Sequence, residues 1–230
     1  MTASRSASNV VQITYRRLFN CYLVVEDDGL TLIDTGPAGA LPAIRAELTR
    51  LRKPLRRVLL THAHGDHLGG LDRLVDELGG ELEVIVARRA APLLAADFAL
   101  CDGEPAPEPK QRNYGHPRTK PTRLVDDQDM AGSLKVIATP GHTPGHISVI
   151  DTRDRTLIAG DAITTLGRVA VSGDLVWRWP FPALSTWNKQ LALQSAKRLL
   201  DEEPVRLATG HGPIVHDATS ALALAVARAT

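Results

Sequence analysis

Six consecutive residues, His62-Ala63-His64-Gly65-Asp66-His67, carry three imidazoles and a carboxylate. Neutral imidazole and carboxylate at this spacing are the ligands that zinc and similar divalent ions take. The run follows Val58-Leu59-Leu60, which reads as a buried strand. It precedes Leu71 to Leu78, whose apolar residues recur at helical spacing. The four polar side chains are therefore expected on a loop between a strand end and a helix start, where a rigid scaffold usually presents its chemistry.

The same setting recurs along the chain, which has eight histidines. His142 and His146 lie in the Gly/Pro loop Thr139 to His146, after a strand read over Leu134 to Ala138. Asp161 follows a hairpin read over Ile147 to Ile150 and Thr156 to Ala159. His211 lies between two glycines after a strand at Val205 to Ala208. If these strand ends share one edge of the fold, His62, His64, Asp66, His67, His142, Asp161 and His211 converge. Seven such groups suffice for two metal ions, with three histidines on one, an Asp and two His on the other, and one carboxylate bridging. His146 reads as a supporting residue, and His116 and His216 as solvated loop residues.

The elements that must position these groups can be read in order. Val10 to Arg16, Cys21 to Glu26, Leu30 to Asp34, Arg56 to Leu60 and Leu82 to Ala87 read as strands, the second and third forming a hairpin around Asp27-Asp28-Gly29. Leu41 to Leu51, residues 68–78, Ala90 to Leu100, Leu184 to Leu200 and Ala218 to Ala229 read as helices, the last capped by Asp217. Val169 to Val171 reads as one more strand. Asp102 to Pro121 is a long proline-rich loop, and Trp177 to Pro182 an aromatic connector. The two halves of the chain look broadly alike, which suggests two packed sheets with helices outside. A single domain is expected over residues 9–230, with Met1 to Ser8 a loose tail.

The chain has 230 residues, 43% of them hydrophobic, enough for a sizeable core. Its net charge of +1, from 27 Lys+Arg against 26 Asp+Glu, argues against a nucleic-acid partner recruited by bulk electrostatics. The expected partner is a small-molecule substrate, the chain acting as a monomer or homodimer. No apolar run approaches membrane length and the polar N-terminus is unlike a signal peptide, so no membrane association and a cytoplasmic location are expected. Cys21 and Cys101 stand apart and read as reduced, partly buried thiols.

From about Asn20 to His211 the chain resembles the metallo-β-lactamase-fold hydrolases. Its His-x-His-x-Asp-His motif is His62, His64, Asp66 and His67, and the later motifs hold His142, Asp161 and His211. Asp34, in Ile-Asp-Thr-Gly, matches an aspartate beneath the site. The resemblance implies an α+β four-layer αββα sandwich, two mixed sheets face to face with helices outside. It implies one metal site from His62, His64 and His142, a second from Asp66, His67 and His211, and Asp161 bridging. Asp161 stands where the β-lactamase branch commonly has cysteine, which places the set nearer the glyoxalase II and lactonase branches. The glutathione-holding C-terminal helical domain of glyoxalase II is not expected after His211. His64 stands where the flavodiiron branch has glutamate.

Two divalent ions, zinc by default with manganese or iron as alternatives, would supply a metal-bound hydroxide that attacks a lactone, ester, thioester or amide. Asp66 is the expected catalytic residue, orienting the nucleophile and passing a proton to the leaving group. Trp177, Trp179 and Phe181 are candidates to wall an apolar pocket, or else to pin a connector to the core. Tyr114, Arg112 and Arg118 are candidates to contact substrate, set against a solvated loop. An iron-dependent persulfide dioxygenase and a non-catalytic metal-binding module are the alternative readings.

Overall fold

The fold, obtained as a computed structural model, describes residues 4–5, 9–106, 113–177 and 179–230. Neighbouring residues on a strand point to opposite faces, and here both faces are apolar. Seven strands form the first sheet in chain order: β1 (Ser4–Arg5), β2 (Val10–Tyr15), β3 (Phe19–Val25), β4 (Leu30–Ile33), β5 (Leu55–Leu60), β6 (Glu83–Ala87) and β7 (Arg123–Val125). Five form the second: β8 (Met130–Ala131), β9 (Leu134–Ala138), β10 (Ile147–Asp151) and β11 (Thr156–Ile158), with β14 (Arg206–Ala208) beyond β11. A small ribbon pairs β12 (Ile163–Thr164) with β13 (Ala170–Val171).

Three apolar clusters make four layers. Leu23, Leu32, Val58 and Leu60 face α1 (Leu41–Leu51) and α3 (Leu71–Leu78) through Leu41, Ile44, Leu71 and Leu74. Their strand neighbours Val24, Ile33 and Leu59 turn the other way and meet Val136, Val149 and Ile158 of the second sheet. Ile137, Ile150 and Leu157 on that sheet's far face pack against Ala196, Leu199, Leu222 and Val226 of α6 (Lys189–Asp201) and α7 (Ala218–Ala229). This is the αββα sandwich. The pairs β4·β5, β5·β6 and β11·β14 are parallel. The C-terminal ends of each parallel set therefore open on one edge, where such folds bind ligands.

Several local expectations are corrected. The helix read at Leu184 to Leu200 begins only at Lys189, capped by Asn188 Oδ1 on the Leu191 N–H, after a separate turn, α5 (Phe181–Leu184). The intervening Trp187 and Asn188 N–H groups bond the carbonyls of His142 and Gly141 instead. The helix read at Ala90 to Leu100 stops at Leu94 as α4, with Ala96 in the left-handed region and the Asp97 carboxylate taking the Ala99 N–H. Residues 65–68 form their own turn, α2 (Gly65–Leu68), ahead of α3. Asp217 occupies the N-cap position of α7 but offers its backbone carbonyl, not its side chain. Ser4 and Arg5 pair with Gln12 and Val11 rather than lying loose; the rest of 1–8 falls outside the described residues. Both cysteines are free, Cys21 buried and Cys101 exposed rather than partly buried.

Candidate metal centre

The site begins at Asp34, the residue that follows β4. Its φ of 58° puts it in the left-handed region, which aspartate tolerates better than most residues. One carboxylate oxygen accepts the Thr61 N–H at 2.8 Å. The other accepts the Thr61 hydroxyl at 2.8 Å and lies 2.7 Å from His67 Nδ1. The next two residues, Thr35 and Gly36, both donate backbone N–H to the His67 carbonyl. Asp34 thus ties the end of β4 to both ends of the histidine loop.

Five imidazoles converge above it. His62 Nε2 lies 3.1 Å and His142 Nε2 3.0 Å from His64 Nδ1. Their outer nitrogens fix their tautomers. The Thr61 hydroxyl donates to the Asp34 carboxylate, so Thr61 Oγ1 accepts from His62 Nδ1–H at 3.0 Å. Thr186 donates to the Pro182 carbonyl, so Ser172 donates to Thr186 and accepts from His142 Nδ1–H at 2.9 Å. His67 Nδ1–H donates to Asp34, and His211 Nδ1–H to the Leu18 carbonyl at 2.8 Å. Four Nε2 lone pairs are left facing inward.

The carboxylates complete the set. Asp161 Oδ2 lies 3.2 Å from His211 Nε2 and 3.5 Å from His142 Nε2, while its Oδ1 lies 3.4 Å from His67 Nε2. Asp66 Oδ2 lies 3.6 Å from His211 Nε2 and 3.9 Å from His67 Nε2. All seven residues named from sequence are therefore brought together. His62, His64 and His142 form one donor group and Asp66, His67 and His211 another, with Asp161 between them.

This donor set fits metal ions. His67 Nε2 and Asp161 Oδ1 are buried without a hydrogen-bond partner among the described residues, which is costly unless something else satisfies them. Nitrogens about 2.0–2.1 Å from a tetrahedral ion sit about 3.3 Å apart, close to the 3.0 and 3.1 Å edges around His64. Burial holds His62 and His142 well below the ordinary imidazole value and brings His64 to about 4, so all three are neutral and ready to ligate. Burial opposes charging of His67 and His211 as well and is the largest single effect, but the surrounding carboxylates together outweigh it and raise both: Asp161, Asp34 and Asp66 at His67, Asp161 and Asp66 at His211. Asp161 is also opposed by burial, yet His211 and His67 hold it well below the usual carboxylate range.

A cavity of about 280 Å³ opens over the cluster, with Phe19, Asn113, Trp179, Phe181 and Pro182 in its wall and His64, Asp66, His142, Asp161 and His211 at its floor. Trp179 and Phe181 thus take the walling role, and Trp179 lies 5.2 Å from the His211 ring. Trp177 is 88% exposed and is no part of that wall. Tyr114 is half-buried, bridged by backbone to His64 and stacked on Phe98, with its ring 5.5 Å from His64. Arg118 turns away to Asp76 of α3, and Arg112 lies outside the described residues. His216 and His116 are both exposed, His116 with its ring edge-on to Phe98. Sequence reading missed Thr61, Ser172, Thr186, Phe19 and Asn113. Thr61 adjoins the motif, but nothing in the sequence around the others marks them as facing the site.

A sequence profile described as the metallo-beta-lactamase superfamily matches residues 16–211. The chain belongs to the metallo-β-lactamase superfamily. The uncharacterized protein YobT of Bacillus subtilis (strain 168) is 44% identical over 210 residues, spanning 91% of this chain and 90% of that one. The "Probable metallo-hydrolase MJ0888" of Methanocaldococcus jannaschii is 28% identical, spanning 85% of this chain and 88% of its own. Among solved structures, TTHA1623 in a di-iron-bound form is 25% identical at a TM-score of 0.66, covering 91% of this chain and 95% of that one. DIM-1 metallo-beta-lactamase shares the fold at a TM-score of 0.71 and 15% identity, over 99% of this chain and 96% of that one.

Proposed function

We propose that the protein is a dinuclear metal-dependent hydrolase of a small carbonyl substrate, namely a lactone, ester, thioester or amide. The observation that carries this reading is the pair of adjacent donor groups that share Asp161, each with lone pairs turned inward. When bound, two divalent ions would make water acidic enough to serve as a nucleophile near neutral pH and would polarise a carbonyl.

The chain's own residues supply the rest. The outer hydrogen bonds of His62, His67, His142 and His211 hold their rings in one tautomer, which fixes ligand direction. The Asp66 side chain is about one-third exposed while the Asp161 side chain is 5% exposed. Asp66 is therefore the carboxylate placed to take a proton at an oxygen open to the cavity and pass it to a leaving group. Phe19, Trp179, Phe181 and Pro182 keep water from the wall and favour an apolar group beside the reacting carbonyl. Seven donors in two groups support two ions over the single iron of a dioxygenase. The di-iron form of TTHA1623 keeps iron beside zinc and manganese as a candidate ion. The test is metal analysis together with a lactone, ester, thioester and β-lactam panel. His62→Ala and Asp161→Ala should lose metal and turnover together. Full turnover by either variant on a confirmed substrate would overturn the reading.

A further inference from the structure

His146 belongs to none of the donor groups, yet it is buried to 1% exposure beside them. Its Nε2 accepts the backbone N–H of Asp161 at 3.0 Å. Its Nδ1 lies 2.8 Å from Thr139 Oγ1, which lies 3.0 Å from Ser148 Oγ. Ser148 spends its one proton on the Ala159 carbonyl. Thr139 must therefore donate to Ser148, and His146 Nδ1–H to Thr139. This chain of single protons leaves Nε2 unprotonated, with its lone pair committed to the Asp161 amide.

Two further observations point the same way. Gly160 has φ +52°, and a Cβ there would come within 2.8 Å of His146 Nε2 and 2.9 Å of Thr61 Cβ. The turn before Asp161 is thus built around close approach to this ring. The same ring lies tilted against His62, with centroids 5.1 Å apart. On the other side of the turn, the Gly160 carbonyl accepts the Gly210 N–H. The Asp161 backbone is gripped from both sides, and His146 is the side-chain half of that grip.

We infer that His146 is a positioning residue for the two-metal centre: its imidazole, locked in one tautomer by Thr139 and Ser148, holds the Asp161 backbone so that the carboxylate faces both donor groups at once. The inference rests on the two-metal reading above. The demand on position 146 is an unprotonated acceptor at the place of Nε2. Glutamine can put Oε1 near that place. Asparagine is too short to reach it, and leucine has no acceptor.

The test is cobalt(II) titration of the metal-free protein, followed by visible absorption and by cobalt counting after gel filtration. It compares wild type with His146→Gln, His146→Asn and His146→Leu, with circular dichroism as the check on folding. Wild type and His146→Gln should each bind two cobalt ions with affinities within about threefold of one another. His146→Asn and His146→Leu should weaken the second equivalent by about tenfold or more. If leucine prevents folding, the glutamine and asparagine pair still decides. Wild-type binding of both equivalents by His146→Asn, or equal losses in the glutamine and asparagine variants, overturns the inference and leaves the two-metal reading standing. Uptake of fewer than two cobalt ions by wild type itself overturns both.

Discussion

His67 Nδ1 lies 2.7 Å from Asp34 Oδ2, with both side chains at least 96% buried. The contact spans from the end of β4 to the histidine loop, and it sets which imidazole nitrogen faces the cavity. Asparagine tolerates the left-handed backbone of Asp34, so Asp34→Asn isolates the charge from the conformation. It should fold, and its affinity for metal at the Asp66, His67 and His211 group should fall by about 10- to 100-fold. Competition with a chromogenic chelator measures this, and an unchanged affinity would remove Asp34 from the account.

Gly210 tests the packing of the centre without replacing any donor residue. A Cβ at this position would lie 2.1 Å from Asp161 Oδ1 and 2.6 Å from His67 Cε1. Gly210→Ala must displace one or both groups, so metal stoichiometry should drop towards one per chain. Elemental analysis of the purified variant provides the check.

Acid should release metal in two steps. Against burial, the carboxylates of Asp161 and Asp66, joined at His67 by Asp34, raise His67 and His211 above the ordinary value of 6.5, so protons compete for them at and above that pH. His62 and His142 are held below it by burial, and His64 at about 4. A raised histidine pKa means that metal must displace a proton, and apparent affinity falls as pH drops through the raised value. The ion at Asp66, His67 and His211 should therefore leave first, from about neutral pH downward. The ion at His62, His64 and His142 should persist to nearer pH 4. Metal content after dialysis across this range should show a plateau near one ion per chain.

The aromatic wall should govern substrate capture more than chemistry. Phe181 is 59% exposed and lines the cavity. Removing its ring forfeits about 1 kcal/mol of apolar contact with substrate and little folding energy. Phe181→Ala should raise KM about fivefold on a confirmed substrate with kcat nearly unchanged. A fall in kcat alone would place the residue nearer the reacting atoms.

Most of the centre was legible because each of its residues follows a strand whose apolar run ends abruptly. Leu60 before Thr61, Ala138 before Thr139 and Ala208 before Thr209 mark the edge from which His62, His142 and His211 project. The layers were legible for a related reason: strands apolar on both faces need cover on both. What lay beyond sequence reading was held by contacts between distant segments. The start of α6 is set by hydrogen bonds from Trp187 and Asn188 to the His142 loop, which no local propensity encodes. Ser172, just after a two-residue strand, orients His142 from thirty positions away. Arg118 sat in the right loop but had Asp72 and Asp76 within reach on α3.

The central claim is that one chain holds two ions through a shared Asp161. Elemental analysis of wild type and Asp161→Ala, each reconstituted with zinc and freed of excess, tests it most directly. The account predicts about two zinc ions per wild-type chain and one or none in the variant. One ion or fewer in wild type, or two retained without the Asp161 carboxylate, would contradict it.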